Sequence, residues 1–220
     1  MPEILVQYQA VIWQAIGETF IMVGISILAA VLVGLPVGTL LFFTRKGQIR
    51  ENQFVYSTFS LLVNIIRSFP FLLLVVFLIP FTRMIIGTAM GTAAATVPLS
   101  IIAIAHYARL VEQSLLEVPK GVIEAAISMG ASVREIMFKF LFVEARSGLV
   151  LALTTSIVSF ISYSTIMGVV GGGGIGDFAI RYGYQRFQTD LMLYVIVIMV
   201  ILVQLIQFTG TTVSRMIDKR

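Results

Sequence analysis

The sequence predicts an all-α membrane protein, a polytopic bundle of five transmembrane helices with a cytoplasmic loop of two short helices. Composition is the first reason, because 58% of the 220 residues are hydrophobic and only 12% are charged. Soluble domains carry about 25% charged residues. The second reason is that the chain contains five long apolar runs. An α-helix satisfies its backbone hydrogen bonds internally in lipid, so each run is predicted to be helical.

The five runs are each long enough to cross a hydrocarbon core of about 30 Å. They cover residues 20–43, 54–82, 92–116, 148–170 and 191–214. The third carries His106, Arg109 and Glu112 in its last part. The second holds Arg67 three residues before Pro70, where a helix break would let the arginine reach the interface. A structural and a functional role for Arg67 both remain open.

Lysine and arginine are unevenly distributed between the two sides of the membrane. Ten of the 15 lie in the loops after the first and third runs and in the C-terminal tail. By the positive-inside rule these ten are cytoplasmic, which places the N-terminus outside and the C-terminus inside. Because the basic residues sit at helix ends, they indicate topology and not nucleic-acid binding. The whole chain, 1–220, is predicted to be one domain, and 118–146 is its largest cytoplasmic segment.

The segment 118–146 carries signals for two short helices joined by a tight corner. Pro119 suits the first helical turn, and Gly130 suits a left-handed C-cap. Ser132 and Glu135 have the spacing of a capping box, so a second helix is predicted to start there. An amphipathic linker resting on lipid is the alternative. The small side chains and the carboxylate of residues 124–126 favour a protein partner instead.

The segment also carries a recognisable pattern, Glu124-Ala125-Ala126-x-x-x-Gly130. It resembles the EAA motif of ABC-importer permeases, a family in which this loop forms a coupling helix that docks on an ATP-hydrolysing subunit. The resemblance implies that these four residues couple the chain to its ATPase. The family pattern continues with Ile-x-Leu-Pro ten residues after the glycine, and this chain lacks that proline. How the second short helix ends is therefore open.

The resemblance extends over nearly the whole chain. Residues 34–38, 67–71, 79–83, Gly87-Thr and 171–184 are similar to the methionine branch of these permeases. The resemblance implies a bacterial inner-membrane complex of two copies of this chain, two cytoplasmic ABC ATPases and an extracytoplasmic substrate-binding protein. It also implies methionine as substrate, including the D-form, with another amino acid as the alternative. Gly34 and Gly38 have the small-xxx-small spacing of close helix packing, either within the subunit or between copies.

Neither catalysis nor a cofactor is expected in this chain. No Gly-x-x-x-x-Gly-Lys-Ser/Thr sequence occurs, so ATP is expected on the partner subunit. Gly171-x-Gly173-x-x-Gly176 matches a dinucleotide fingerprint, but a membrane span precedes it where that motif needs a strand. We interpret this glycine-rich segment as a loop on the outer side of the membrane. His106 is the only histidine, and no carboxylates cluster with it, so no metal site is predicted.

The fourth run is rich in hydroxyl groups. Ser156, Ser159 and Tyr163 share one helix face. They either bind helices together or line a translocation path, and the resemblance favours the path, with Ile166 and Met167 as apolar gate residues. A self-contained secondary transporter or channel is the alternative function. Such proteins use buried ionisable groups, which four of the five runs lack at mid-depth.

Overall fold

The computed structural model describes residues 2–218, and every regular element in this range is helical. The α-helices in chain order are α1 (Pro2–Ala29), α2 (Leu35–Thr44), α3 (Gln53–Ser68), α4 (Phe71–Phe77), α5 (Ile79–Ile86), α6 (Thr92–Leu116), α7 (Lys120–Ser128), α8 (Val133–Glu135), α9 (Phe142–Val169), α10 (Gly174–Phe178) and α11 (Thr189–Ile217). Three π-helical turns, Ala30–Gly34, Ile136–Leu141 and Ala179–Tyr184, join α1 to α2, join α8 to α9 and extend α10. The predicted all-α class is confirmed.

Among the described residues, four helices are long and apolar enough to cross a membrane. They are Val6–Thr44, Thr92–Leu116, Val133–Val169 and Thr189–Ile217. The helices α3 and α4 would form a fifth crossing as a broken span, because they pass the same test together but are bent by 103°. The predicted third run agrees with α6 at both ends.

The apolar run over residues 54–82 is not one straight helix, and the helix break that the sequence suggested at Pro70 is present. The chain breaks between α3 and α4, where Phe69 is extended with ψ 132°. Pro70 is the cause, because its ring disfavours helical backbone in the preceding residue. Pro80 follows at the start of α5. Apolar composition continues through both prolines, so composition alone does not show where the run divides.

Two other predicted boundaries also need correction. The first span does not begin at residue 20, because α1 already includes the apolar residues before Glu18 and buries Ile12 and Ala15 against Phe178 and Leu191. The second helix of the loop is not short. It starts after Ser132 as predicted but continues through a π-helical turn into α9. No proline interrupts residues 140–143, so nothing ends the helix there.

The helix α6 lies at the centre of the subunit. Of its most apolar 18 residues, 61% are buried inside the chain, against 11% for α11. Small side chains make this position possible, since Ala94, Ala95, Ala103, Ala105 and Ala108 are all buried. In lipid, small residues let helix backbones approach closely enough for van der Waals packing to hold them. The remaining spans therefore pack around α6.

Gly34 and Gly38 lie against this central helix. A Cβ atom at Gly34 would lie 2.8 Å from the carbonyl oxygen of Ile104. At Gly38 a Cβ atom would overlap the carbonyl oxygen of Ala108 and lie 2.7 Å from the Cβ of Val111. The two glycines thus serve packing within the subunit, which decides between the two alternatives left open by the sequence.

Replacing Gly38 by alanine should destabilise the subunit by about 1–3 kcal/mol, because the added methyl group overpacks a backbone contact. Gly24→Ala is the matched control on the same continuous helix, since nothing lies within 4 Å of a Cβ atom there. The control should retain or gain stability. Thermal unfolding of the purified chains in detergent measures both. Unfolding of Gly38→Ala at the wild-type temperature would contradict the close approach.

Candidate functional site

The corner after α7 has the geometry of a Schellman motif. The Gly130 N–H donates to the carbonyl of Ile127 at 2.9 Å, and the Ala131 N–H donates to that of Ala126 at 3.1 Å. This arrangement needs a left-handed residue, and Gly130 has φ +75°. At the other end, Pro119 is the N-cap directly before α7. The helix is thus closed at both ends by backbone geometry that its own sequence specifies.

The helix after the corner begins with the predicted capping box, which is confirmed. The Glu135 N–H donates to Ser132 Oγ at 3.3 Å, and the Ser132 N–H donates back to Glu135 Oε2 at 3.1 Å. Lys139 adds an ion pair to Glu135 at 2.9 Å. Only one residue, Ala131, separates Gly130 from this cap. The corner therefore joins α7 to the long helix through Val169 with little freedom between them.

The structure divides the three helical residues of the motif between two faces of α7, and Gly130 follows in the corner. Ala126 is completely buried, together with Ile123, and both pack into the main core. Glu124, Ala125 and Gly130 are exposed. Ala126 therefore sets how closely α7 lies on the bundle, because a larger side chain would lift the helix away. Glu124 and Ala125 are the residues that a partner could contact.

Large apolar side chains surround these exposed residues. Ile127 is 50% exposed and Met129 67% exposed, which is a costly arrangement unless another surface covers them. A cleft of about 260 Å³ lies beside them, between Lys120, Glu124 and Ile127 of α7 and the 47–49 loop that follows α2. A short helix with an apolar face, a carboxylate and an adjacent cleft is suited to docking against another protein.

Only some of the predicted path residues on α9 lie together on an accessible surface. Ser159, Tyr163 and Ile166 are partly exposed, whereas Ser156 and Met167 are buried inside the subunit. The Tyr163 ring stacks on Phe71 with 4.7 Å between ring centroids. Ser156 and Ser159 donate their hydroxyl hydrogens to backbone carbonyls one turn earlier in the same helix. Their oxygen lone pairs remain available to a neighbour.

The glycine-rich segment after α9 is a loop that α1 holds in place. Its backbone lies in left-handed conformations, with φ +76° at Gly173 and +82° at Gly174. The Gly174 N–H donates to Glu18 Oε2 at 2.7 Å, and the Ile175 N–H donates to Thr19 Oγ1 at 2.9 Å. No strand precedes the loop within the described residues. The dinucleotide interpretation thus lacks the βαβ unit that it needs.

A polar cleft of about 390 Å³ opens beside the glycine loop. It is lined by Gln14 and Glu18 of α1 and by Asp177, Arg181 and Tyr182. Asp177 forms an ion pair with Arg181, whose Nε lies 2.7 Å from the Asp177 Oδ1. Burial raises the pKa of the Asp177 carboxyl. The negative charge of Glu18 adds to this rise in the pKa, and the ion pair with Arg181 partly offsets it. Sequence reasoning missed Glu18 and Thr19 as anchors of the loop, because their partners lie 156 residues further along the chain.

Sequence reasoning also missed a buried ion cluster around Glu112, which is only 1% exposed. Its carboxylate pairs with Arg109 and, at 3.5 Å, with Arg45 at the end of α2. The Tyr56 hydroxyl of α3 donates to it at 3.3 Å. The spacing of Arg109 and Glu112 by three residues was the available signal. The cluster joins α2, α3 and α6.

His106 lies between helices, one turn before Arg109. Its ring meets Phe160 of α9 edge-on, with 5.7 Å between centroids. Its Nε2 atom is buried without a hydrogen-bond partner in the described part of the chain. No group of three His, Asp or Glu side chains converges in that same part as a metal site would require.

Comparison with known proteins gives one family and close relatives. The family of binding-protein-dependent transport system inner membrane components matches residues 30–220. A probable D-methionine transport system permease protein, MetI, of Vibrio cholerae is 44% identical over 206 residues, which cover 94% of this chain and 92% of that protein. The methionine import system permease protein MetP of Bacillus subtilis is 42% identical over 209 residues, covering 95% and 94%.

Solved structures show the same similarity. A chain from inward-facing conformations of the MetNI methionine ABC transporter matches with a TM-score of 0.94 at 44% identity, over 97% of this chain and 99% of that chain. A chain of an amino acid ABC transporter crystallised with histidines has a TM-score of 0.79 at 20% identity, over 96% of each chain. The second match bears on the fold alone.

Replacing Glu112 by glutamine should lower stability by about 3–5 kcal/mol, because it leaves the largely buried Arg109 without its countercharge. Glu117→Gln is the matched control, since Glu117 is an exposed carboxylate at the end of the same helix. It should unfold within about 0.5 kcal/mol of wild type. Chemical denaturation in detergent measures both, and equal stability of the two variants would show that the cluster is not structural.

Proposed function

The chain belongs to the family of binding-protein-dependent transport system inner membrane components, and we propose that it is the permease subunit of an ATP-driven importer of methionine, including the D-form. The observation that carries the proposal is similarity over the full length. Both methionine permeases compared above exceed 40% identity across more than nine-tenths of this chain. The MetNI chain matches its fold as completely. This similarity favours a permease over a self-contained secondary transporter or channel.

The importer is proposed to contain two copies of this chain, two cytoplasmic ATPases and an extracytoplasmic binding protein. ATP is bound and hydrolysed by the ATPases, since this chain has no phosphate-binding loop sequence. A single copy leaves most of α11 uncovered, with Ile201, Leu205 and Phe208 all more than half exposed. Lipid and the second copy are the apolar surfaces proposed to cover them. The binding protein is proposed to dock at the opposite end from α7.

The proposed orientation places α7 in the cytoplasm, with the N-terminus outside and the C-terminus inside. Support comes from the cleft beside α7, which brings together two loops that the positive-inside rule assigns to the same side. Asp177 and Glu18 lie at the other end, where lysine and arginine are few. A bacterial inner-membrane location accords with the family, whose members are inner membrane components.

Coupling is proposed to act through the contact surface of α7, which consists of Glu124, Ala125 and the exposed Ile127. The corner at Gly130 links that surface to the helix that continues to Val169. A helix of this length spans about 55 Å, so it reaches from the docking surface across the membrane. Movement of the two ATPases toward each other would displace α7, and the attached helix would move with it. The permease thereby alternates between inward-open and outward-open states.

The translocation path is proposed to run along the exposed face of α9. Ser159, Tyr163 and Ile166 form that face in this conformation. Ser156 and Met167 lie behind it, so here they support the wall and do not line it. Rotation of α9 during the transition would change which of the five residues meet the substrate. Met167 packs beside the glycine loop, where its carbonyl accepts the Gly172 N–H at 2.8 Å.

Charge reversal at Glu124 tests the proposed coupling. Glu124→Lys should reduce co-purification of the ATPase and methionine uptake by at least about tenfold, because it reverses the charge at the centre of the proposed contact surface. The variant should still insert and fold, since Glu124 is exposed. Co-expression with an ATPase and a binding protein, followed by affinity purification and labelled-methionine uptake, measures both effects.

Glu117→Lys is the control for the Glu124 experiment. It makes the same charge change on an exposed residue at the end of α6, seven positions earlier, and should retain uptake. Wild-type uptake and ATPase binding by Glu124→Lys would refute the coupling surface. ATPase-dependent uptake of a different amino acid by the wild type would keep the permease and refute methionine as its substrate.

A further inference from the structure

A polar seam runs between α3 and α6. Tyr56, Ser60, Asn64 and Arg67 share one face of α3 at steps of four, four and three residues. They meet α6 in reverse order, because Tyr56 bonds to Glu112 while Ser60 and Asn64 accept from Arg109 at 3.0 and 2.8 Å. Arg67, one turn further, lies within electrostatic range of His106, one turn before Arg109.

The seam is neutralised at one end only. Near α7, Glu112 is shared between Arg45 and Arg109. At the other end Arg67 makes no ion pair with a carboxylate in the described residues, and Arg109 is a second positive charge nearby. Three arginines against one glutamate, with a neutral histidine, leave a net charge of +2. The seam therefore carries positive charge that no carboxylate in residues 2–218 neutralises by an ion pair.

In the proposed orientation His106 lies well inside the α6 span, and the side chain of Arg67, at the end of α3, is exposed on the single subunit. His106 is ten residues from the end of α6 at Leu116, which is about 15 Å along the helix axis. That is half the thickness of a hydrocarbon core of about 30 Å. An arginine without a carboxylate partner beside this span is expensive in lipid and marks a candidate substrate or ion pathway.

An aromatic wall stands beside Arg67. Tyr163, the central residue of the proposed path, stacks on Phe71, which follows Arg67 by four residues across the helix break. Phe160 links them to the histidine, since its ring lies 5.6 Å from Tyr163 and 5.7 Å from His106. The buried Nε2 of His106, which has no partner, lies in the same group. Cationic, hydrogen-bonding and apolar groups thus meet at one place on the path.

We propose that Arg67, with the Tyr163 hydroxyl, receives the carboxylate of the amino acid in transit, while the apolar side chain of that amino acid rests on the Tyr163 ring. The proposal rests on the proposed function. A guanidinium group fits a carboxylate with two parallel hydrogen bonds. Thioether sulfur makes favourable contacts with aromatic rings. Arg109 stays bonded to Glu112, Ser60 and Asn64, so Arg67 is the one arginine left for the substrate. A single arginine binds the carboxylate weakly enough for the amino acid to move on.

The absence of cysteine from this chain allows the charge to be removed and restored at one position. Arg67→Cys should lower labelled-methionine uptake at least about tenfold, since a hydrogen bond to a charged group is lost. The complete complex with the ATPase and binding protein, reconstituted in vesicles, is then treated with thiol reagents. The partner proteins are used without accessible cysteines. The amount of assembled complex is checked by size-exclusion chromatography.

The reagents separate charge from shape. Aminoethyl methanethiosulfonate attaches a primary ammonium group and should restore at least about a third of the lost uptake, whereas the neutral methyl reagent should restore none. Excess methionine should slow the reaction of the introduced thiol with the reagent. Arg83→Cys is the control, because Arg83 is an exposed arginine on α5, beyond the same helix break. It should transport normally before and after treatment.

Vesicle composition separates a carboxylate from a lipid phosphate as the anion. Loss and rescue should be the same in vesicles of phosphatidylcholine alone and in vesicles with added phosphatidylglycerol. Loss and rescue confined to the anionic vesicles would assign the site to a lipid headgroup and overturn the proposal. So would normal uptake by Arg67→Cys, or equal rescue by both reagents. Loss of uptake by wild type without an active ATPase partner is a separate result that tests the proposed function.

Discussion

The unbroken helix from Val133 to Val169 is the constraint on which the remaining arrangement depends. Backbone groups within lipid must be paired, so this segment stays helical even where a π-helical turn interrupts the α-helical hydrogen-bond pattern. One end begins shortly after a Schellman corner, and the other ends against a loop of glycines. Each end is fixed tightly, so a displacement at one is transmitted to the other instead of being absorbed between them.

The far end of this helix is fixed by backbone contact. A Cβ atom at Gly168 would overlap the backbone of Asp177, and one at Gly176 would overlap that of Thr165. Glu18 and Thr19 then hold the start of α10 from α1. A continuous set of close contacts therefore runs from α7 through α9 and α10 to α1. Such a set is one means by which the proposed coupling could pass from α7 to the opposite end of the subunit.

Charge divides the subunit into two parts of different character. Glu112 gathers Arg45, Arg109 and Tyr56, so α2, α3 and α6 are held together at the α7 end. Beyond this cluster the polar seam between α3 and α6 continues to Arg67, where no carboxylate in the described residues pairs with the arginine. The same α3–α6 contact thus anchors the bundle at one end and places a positive charge beside the proposed path at the other. The break at Pro70 leaves this charged end of α3 free of a continuing straight helix.

The sequence was sufficient where the signal is local. The boundaries of α6, the capping box at Ser132 and the left-handed Gly130 depend on residues within a few positions, and all three are confirmed. It was insufficient where apolarity continues through a change of direction, because Pro70 suggested a break but neither the 103° bend nor the separate start of α5. Burial of Ser156 beside exposed Ser159 depends on which helices pack against α9.

Contacts across the chain were also beyond the sequence. Arg45 and Glu112 are separated by 67 residues and Glu18 and Gly174 by 156, and no spacing rule connects them.

The most direct test of the central claim is labelled-methionine uptake in cells that express this chain with an ATPase and a binding protein, compared with an ATPase unable to hydrolyse ATP. The account predicts uptake only with the active ATPase, competed by excess unlabelled methionine. Uptake that is indifferent to ATP hydrolysis would contradict it.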